Sequence, residues 1–214
     1  MGKAASRTHL GPIVIALTFI AKLVLTASVA MLTNSGELNQ PDTRVDLGVV
    51  YDHPAEAVGQ ELSFYVQFDG LQEDWNAFGT EFAPSSHLRA TVWSDNQRLW
   101  DRLDFNNPLG EVYIRTNARA AQRLLGVQRF QRLLCVGTVR NLRCGKPWIE
   151  VMHMYVARQS VSEGSLLHAI RAVDLHSRKA FTLARDEYAR AITANLPKAV
   201  RSELQGLVDA CAKK

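Results

Sequence analysis

The sequence predicts an α+β protein, because the residue pattern changes three times along its 214 residues. An apolar segment near the N-terminus is long enough to cross a bilayer, and the middle of the chain alternates apolar and polar residues as strands do. From Val161 onward, apolar residues recur at helical spacing. We therefore expect an anchor or signal segment (1–33), a linker (34–57), a β-rich domain (58–157) and C-terminal helices (158–214).

The N-terminal segment from Ile13 to Leu32 carries a single charge, Lys22. Lys3 and Arg7 precede it, and acidic residues predominate after it, so the positive-inside rule places the N-terminus in the cytoplasm and the remainder outside. We expect an uncleaved single-pass anchor in which Lys22 contacts a neighbouring membrane subunit.

Two alternatives to an anchor stay open at this stage. One is a signal peptide cleaved after the small residues Ser28-Val29-Ala30. The other is a buried helix of a protein without a membrane span. The first alternative, like the anchor, exports the domain.

The middle region predicts strands over Glu61–Phe68, His87–Ser94, Leu99–Phe105, Gly110–Thr116, Arg132–Arg140 and Trp148–Ala157. Asp69-Gly70 is typical of a turn, and Asn117 is a candidate N-cap for a helix over Ala118–Val127. In the tail, Ser162 and Ser165 are candidate helix starts and Pro197 interrupts the helical pattern, which predicts two or three helices. The apolar stripes of these helices either dock a partner or pack on the β domain.

Three stretches resemble the OB-fold, a five-stranded Greek-key barrel. Val58-Gly59-Gln60-Glu61 leading into Leu62–Phe68 resembles its first strand, and the helix at Ala118–Val127 falls where that fold keeps its helix. Val136–Val139 followed by Lys146–Val151 is similar to its closing strand pair. The resemblance covers Val58 to Ala157 and implies a five-stranded OB-like barrel that binds extended ligands on strands two and three and their flanking loops. The long stretch between the first two strands departs from a minimal barrel, so a different α+β domain stays open.

Charge is distributed unevenly along the chain. Glu37 to Glu81 is acidic and holds one basic residue, Arg44, whereas no acidic residue lies between Glu111 and Glu150. The basic residues that we expect to bind an anion or a protein partner all lie in that second span: Arg115, Arg119, Arg123, Arg140, Arg143 and Lys146. The alternative is a solvated basic face balanced by the acidic segment packed beside it.

The expected partners of this basic face are membrane protein subunits, an acidic protein surface or anionic lipid. Nucleic acid is the usual partner of a basic OB-like barrel, but an exported domain does not routinely meet it. Arginine outnumbers lysine in the span, which suits directed pairing with carboxylate or phosphate.

The cysteines Cys135 and Cys144 lie in adjacent parts of one predicted hairpin, so in an exported domain they are candidates for a disulfide. Two unpaired thiols are the alternative. Cys211 is expected to be free.

The sequence contains no GxSxG, Walker A, GxGxxG or HExxH motif, so no catalytic residue, metal ligand or cofactor is assigned. Met152 and Met154 flank His153, but strand alternation puts them on the opposite face from the imidazole. The four tryptophans are interpreted as core residues, with a stacking platform as the alternative.

We therefore expect a membrane-anchored extracytoplasmic binding or assembly module without catalytic activity, an accessory subunit of a membrane complex. One alternative is an OB-fold protein that binds single-stranded nucleic acid. The other is an exported envelope hydrolase, which requires a carboxylate or histidine pair converging in a cleft.

Overall fold

The computed structural model describes residues 44–73, 75 and 81–214. The predicted anchor over 13–32, including Lys22, lies outside the described residues. Among the helices of the described part, none has both the length and the apolar character needed to span a bilayer. Residues 44–214 belong to one compact unit.

Five strands form a closed barrel: β1 (Glu61–Gln72), β2 (His87–Ser94), β3 (Gly110–Arg115), β4 (Arg132–Arg143) and β5 (Lys146–Val156). The order around the barrel is β1-β2-β3-β5-β4, and β4 closes on β1. All neighbouring pairs are antiparallel except β3 and β5, which run parallel. This arrangement is compatible with an OB-like fold, and the predicted α+β class with a five-stranded barrel is confirmed at that level.

The first strand continues through the predicted turn at Asp69-Gly70. Pairing with β2 shifts register between Phe68 and Gly70 and then resumes to Gln72. A bulge absorbs the extra residue and bends the strand, as expected for a long strand at the corner of a small barrel.

The predicted strand over Leu99–Phe105 is wrong. The segment contains α3 (Arg102–Asn106), whose N-cap Asp101 accepts a hydrogen bond from the backbone N–H of Leu103. Leu99 and Trp100 are buried, so the apolar residues that suggested a strand serve as core residues in a turn.

The predicted helix between the third and fourth barrel strands is present but shorter, as α4 (Arg119–Leu124). Its N-cap is Ala118 and has no side-chain cap, so the prediction of Asn117 as N-cap was wrong. Ala120, Ala121 and Leu124 bury one face of α4 against the barrel.

The segment expected to be a linker is folded where it is described. It forms α1 (Leu47–Asp52) and α2 (Pro54–Ala57), and Asp46 caps α1 by accepting from the N–H of Gly48. Leu47 is fully buried and Val50 nearly so, in the same core as the barrel interior. Burial of these apolar side chains holds the lead-in on the barrel.

The barrel interior is filled by alternate residues of every strand. On β2 and β3 these are Ala90, Val92, Val112 and Ile114, each less than 4% exposed. Because strand neighbours point to opposite faces, Arg89, Thr91, Glu111 and Tyr113 lie on the outside of the same two strands.

The tail forms three helices, α5 (Glu163–Ser177), α6 (Phe181–Ala191) and α7 (Lys198–Ala212). The predicted start at Ser162 is confirmed, because its side chain accepts from the N–H of Ser165. The helices share one core with Trp93, Trp100 and Phe130, so the tail packs on residues of the β domain.

Candidate binding site on the outer face of the barrel

The outer face of β2, β3 and β5 carries polar side chains around an aromatic centre. Arg89 lies opposite Tyr113 in the β2–β3 ladder, and Tyr113 lies opposite Glu150 in the parallel β3–β5 pair. Side-chain alternation therefore brings charged residues from three strands onto one surface.

Glu111 is the first of two carboxylates on this face. It accepts two hydrogen bonds from Arg89, and the Tyr113 hydroxyl donates to it at 3.1 Å. The backbone N–H of Glu111 donates to the Tyr51 hydroxyl at 3.0 Å, so α1 also reaches this centre. Burial raises the pKa of Tyr51 to about 12, which keeps this hydroxyl protonated.

Glu150 is the second carboxylate and is only 3% exposed. Nε of Arg115 lies 2.5 Å from Oε1, and Nε of Arg140 lies 2.6 Å from Oε2. Nε2 of His87 lies 3.4 Å from Oε1. Both carboxylate oxygens of Glu150 are therefore engaged by the chain itself.

The environment of Glu150 favours its charged form. Burial alone raises the pKa of a carboxyl, but the hydrogen bonds from Arg115 and Arg140 and the charge of Arg140 outweigh it and lower the pKa of Glu150. Glu150 is an ionised partner for two arginines at neutral pH.

Four aromatic side chains form one buried cluster on this face. Trp75 meets Tyr113 edge-on at 5.5 Å between ring centroids, and Phe82 lies 4.6 Å from Tyr113 and 6.2 Å from Trp148. Each of the four residues is at most 8% exposed. The connection between β1 and β2 thus supplies Trp75 and Phe82 to bury the aromatic centre of the face.

A cleft of about 310 Å³ opens beside this cluster, between the Arg89–Glu111 pair and the β4–β5 turn. Arg143, Cys144 and Lys146 line the turn side of the cleft. Cys144 and Gly145 both have positive φ, 50° and 75°, as a two-residue hairpin turn requires. The tight turn sets Arg143 opposite Lys146 at the rim of the cleft.

The structure separates the six basic residues proposed as binding residues into two groups. Arg115 and Arg140 bind Glu150, and Arg123 donates to the carbonyl of Met154 at 2.9 Å and lies over the Tyr155 ring. Arg119, Arg143 and Lys146 are exposed, and none has an acidic partner within the described part of the chain. Only Arg143 and Lys146 of the six line the cleft.

Two further arginines of the basic span bind acidic residues of the barrel. Arg132 forms a bidentate salt bridge with Asp95, with both hydrogen bonds at 2.6 Å. Its guanidinium carbon lies 3.6 Å from the centroid of the Tyr65 ring. Arg129 bonds to Asp69 at 3.0 Å. Much of the basic span is therefore paired inside the fold, and of the three acidic partners Glu150, Asp95 and Asp69 only Asp69 lies in the acidic segment 37–81.

Cys135 and Cys144 are both free thiols, which is the unpaired alternative of the two that the sequence left open. Cys135 is buried in β4, and Cys144 is exposed in the turn after it. Nine residues along a strand span roughly 30 Å, whereas disulfide-linked Cα atoms are about 4.4–6.8 Å apart. The two cysteines are close in sequence, but the extended strand β4 separates them in space.

No cluster of three candidate metal ligands occurs among residues 44–73, 75 and 81–214. Met154 is buried in the barrel core with Ile149 and Val151, while His153 is exposed. The predicted alternation along β5 is broken after Val151, where the pairing with β4 shifts register. All four tryptophans are at most 8% exposed and serve as core residues.

Sequence reasoning missed Arg89, Glu111 and Tyr51 as members of the site. Alternation on β2 and β3 would have placed Arg89 and Glu111 on the outer face, but the β2–β3 register that puts them side by side is a tertiary property. No sequence pattern pointed to Tyr51 as a site residue, because its segment was expected to be a linker.

The fold and its outer face define a barrel protein with an OB-like strand order. No protein-family model matches the sequence, and no curated protein matches it. Eighteen chains of solved structures match it. One of these is described as a putative aspartyl-tRNA synthetase from Leishmania major Friedlin. It has a TM-score of 0.38 and 9% identity, over 76% of this chain and 38% of that chain. The chain thus spans well under half the length of that structure.

Proposed function

We propose that the protein is a non-catalytic binding or assembly module, anchored in a membrane by its N-terminal segment and acting outside the cytoplasm as an accessory subunit of a membrane complex. Its binding site is the cleft at the β4–β5 turn, and its ligand is an acidic segment of a partner protein. The observation that carries the proposal is the position of Arg143 and Lys146 at the rim of that cleft, where both are exposed.

Two features support a protein carboxylate as the ligand. The cleft lies beside the β2–β3 face and the β4–β5 loop, where OB-like barrels bind extended ligands. Arg89 and Glu111 line its far side as a complete ion pair, so the net positive charge of the lining comes from Arg143 and Lys146. An acidic side chain entering from the turn would meet both cations.

The alternative of single-stranded nucleic acid has one observation in its favour, which is the presence of Tyr113 and Trp148 beside the cations. Bases bind such proteins by stacking on exposed rings. Tyr113 and Trp148 are 2% and 8% exposed, because Trp75 and Phe82 lie against them. An acidic peptide needs only the cations, so it is the better fit.

An envelope hydrolase would need two converging acid–base groups in the cleft. Glu111 is the one carboxylate among the described lining residues, and Arg89 and Tyr113 already bind it. This arrangement favours a binding role over acid–base catalysis.

The test uses the full-length protein in detergent and two fluorescent probes, an oligoglutamate peptide and an oligothymidylate of similar charge. We expect the peptide to bind more tightly, and R143A/K146A to weaken its binding by about tenfold, as expected when two charged contacts are removed. R102A/R158A is the matched control, since it removes the same charge from exposed positions away from the cleft. Equal binding by both double variants contradicts the site, and tighter binding of the oligonucleotide contradicts the ligand class.

The complex itself is tested by affinity purification of the full-length protein with mass spectrometry of the bait and its co-purifying proteins. An intact N-terminus with stoichiometric membrane proteins supports the accessory-subunit role. Cleavage after Ala30 together with the absence of any co-purifying protein would contradict the accessory-subunit role.

A further inference from the structure

Helix α5 keeps an apolar stripe that no other element in the described part of the chain covers. Leu167, Ile170 and Val173 are 48%, 40% and 36% exposed, although the rest of α5 supplies Leu166, Ala169 and Ala172 to the core. The three side chains are spaced three residues apart, so they follow one side of the helix for two turns. A stripe of this kind on a helix that already has a buried face is typical of an interface.

A groove of about 670 Å³ lies beside the N-terminal part of the stripe, where Leu167 and Ile170 line it. Its walls include Phe105 and Phe130 from the barrel side and Leu166 and Ile170 from α5. Side chains of an apposed helix can therefore enter a concave surface of mixed apolar and polar lining instead of resting on a flat one.

We propose that α5 pairs with α5 of a second copy of this chain, antiparallel, about a two-fold axis at Ile170. Leu167 and Val173 lie three residues to either side of Ile170, so the stripe is compatible with a two-fold axis there, and the charges at its two ends carry the choice of a second copy. Rotation about the axis sets Leu167 of each copy against Val173 of the other, and Ile170 against itself. A self-complementary patch of this kind is what a two-fold interface requires.

The charges at the two ends of the stripe fit the same pairing. Glu163 begins α5 and is exposed, with no basic partner within the described residues, and Arg178 follows its last turn. The two-fold axis brings Glu163 of one copy beside Arg178 of the other at both ends of the interface. Within its own chain Arg178 forms a salt bridge with Asp174, with 3.0 Å between Nη2 and Oδ2. Each end of the interface would therefore group Arg178 and Asp174 of one copy with Glu163 of the other.

Disulfide trapping tests the pairing in the full-length protein. C144S first removes the exposed native thiol, since Cys135 and Cys211 are buried. In that background I170C places two thiols on the proposed axis, and L183C is the control, because Leu183 is more exposed, at 58%, but lies on α6. We expect oxidation to link I170C into dimers at a yield about fivefold above that of L183C, as expected for a residue that faces itself across a two-fold axis.

Charge reversal distinguishes this interface from random collisions in the micelle. E163R in the I170C background is expected to lower the dimer yield, and E163R/R178E to restore it, because the swap rebuilds the opposite-charge contact. Equal cross-linking of I170C and L183C, or no recovery in the double swap, would overturn the proposal. Cross-linking of I170C only to another protein during purification would also overturn it.

Discussion

The guanidinium of Arg140 donates to the carboxylate of Glu150 across the β4–β5 pair, with 2.6 Å between Nε and Oε2. Glu150 ends the stretch of sequence that contains no acidic residue, and Arg140 lies inside that stretch. The fold therefore neutralises part of the basic span with the acid at its own boundary. Arg143 and Lys146 at the hairpin turn are exposed and have no acidic partner within the described residues.

Replacing Glu150 by glutamine is expected to destabilise the fold. The substitution leaves Arg115 and Arg140 without their common carboxylate, yet both arginines are more than a third exposed, so solvent compensates part of the loss. We expect a decrease of about 1–3 kcal/mol in the free energy of unfolding. Chemical denaturation measures it, and E61Q, at an exposed position of β1, is the control. Equal stability of the two variants would show that the cluster contributes nothing.

The difference in stability between the wild type and E150Q is expected to depend on pH. The pKa of Glu150 in the folded protein is below the 4.5 of an unperturbed glutamate, so its contribution to stability is complete above that value. The contribution is lost as the pH falls through the folded pKa. Denaturation at a series of pH values should give a constant difference near neutrality that shrinks below about pH 4.5. A difference that grows on acidification contradicts the ion pairing.

Substitution of Gly137 by alanine is expected to be destabilising. A Cβ at this position would lie 2.6 Å from the carbonyl oxygen of Glu150, next to the bulge in the β4–β5 ladder. The backbone must shift to accept it, at a cost of about 1–3 kcal/mol. G206A is the matched control, because its added Cβ meets nothing within 4 Å and it lies in the interior of α7. Thermal unfolding should therefore show a lower Tm for G137A and an unchanged or higher Tm for G206A.

The three thiols are expected to differ in reactivity. Cys144 is exposed, whereas burial raises the pKa of Cys135 to about 12 and also raises the pKa of Cys211. Brief treatment with a maleimide followed by peptide mapping should modify Cys144 in the folded protein and the other two only after denaturation. Recovery of a peptide linking Cys135 to Cys144 without reduction would contradict the geometry of β4.

Lys22→Leu is expected to reduce the recovery of partner subunits from the membrane. An ionised side chain within an apolar segment is costly unless a partner group binds it. Quantitative mass spectrometry after detergent solubilisation measures the loss, with L25I as a control that retains the apolar character of the segment. An unchanged set of partners would remove Lys22 from the proposed contact.

Local patterns in the sequence predicted most of the barrel. The bounds of β2 are those that alternation gave, and β3, β4 and β5 differ from prediction by a few residues at their ends. The prediction failed at Leu99–Phe105, where short apolar runs fit a strand and a buried turn equally well. It also failed at Asp69-Gly70, since a bulge and a turn share the same residue types.

The sequence by itself determined the strand alternation, the helical tail and the location of the basic span, because periodicity and charge are local properties of the chain. Only the tertiary structure decided which arginines are available to a ligand. Glu150 binds Arg115 from another strand of the barrel and Arg140 from the facing strand of its own hairpin, and the register that aligns them is set by closure of the barrel. The Coulomb energy of these ion pairs depends on the distances between side chains on different strands. Those distances cannot be derived from the spacing of the residues along the chain.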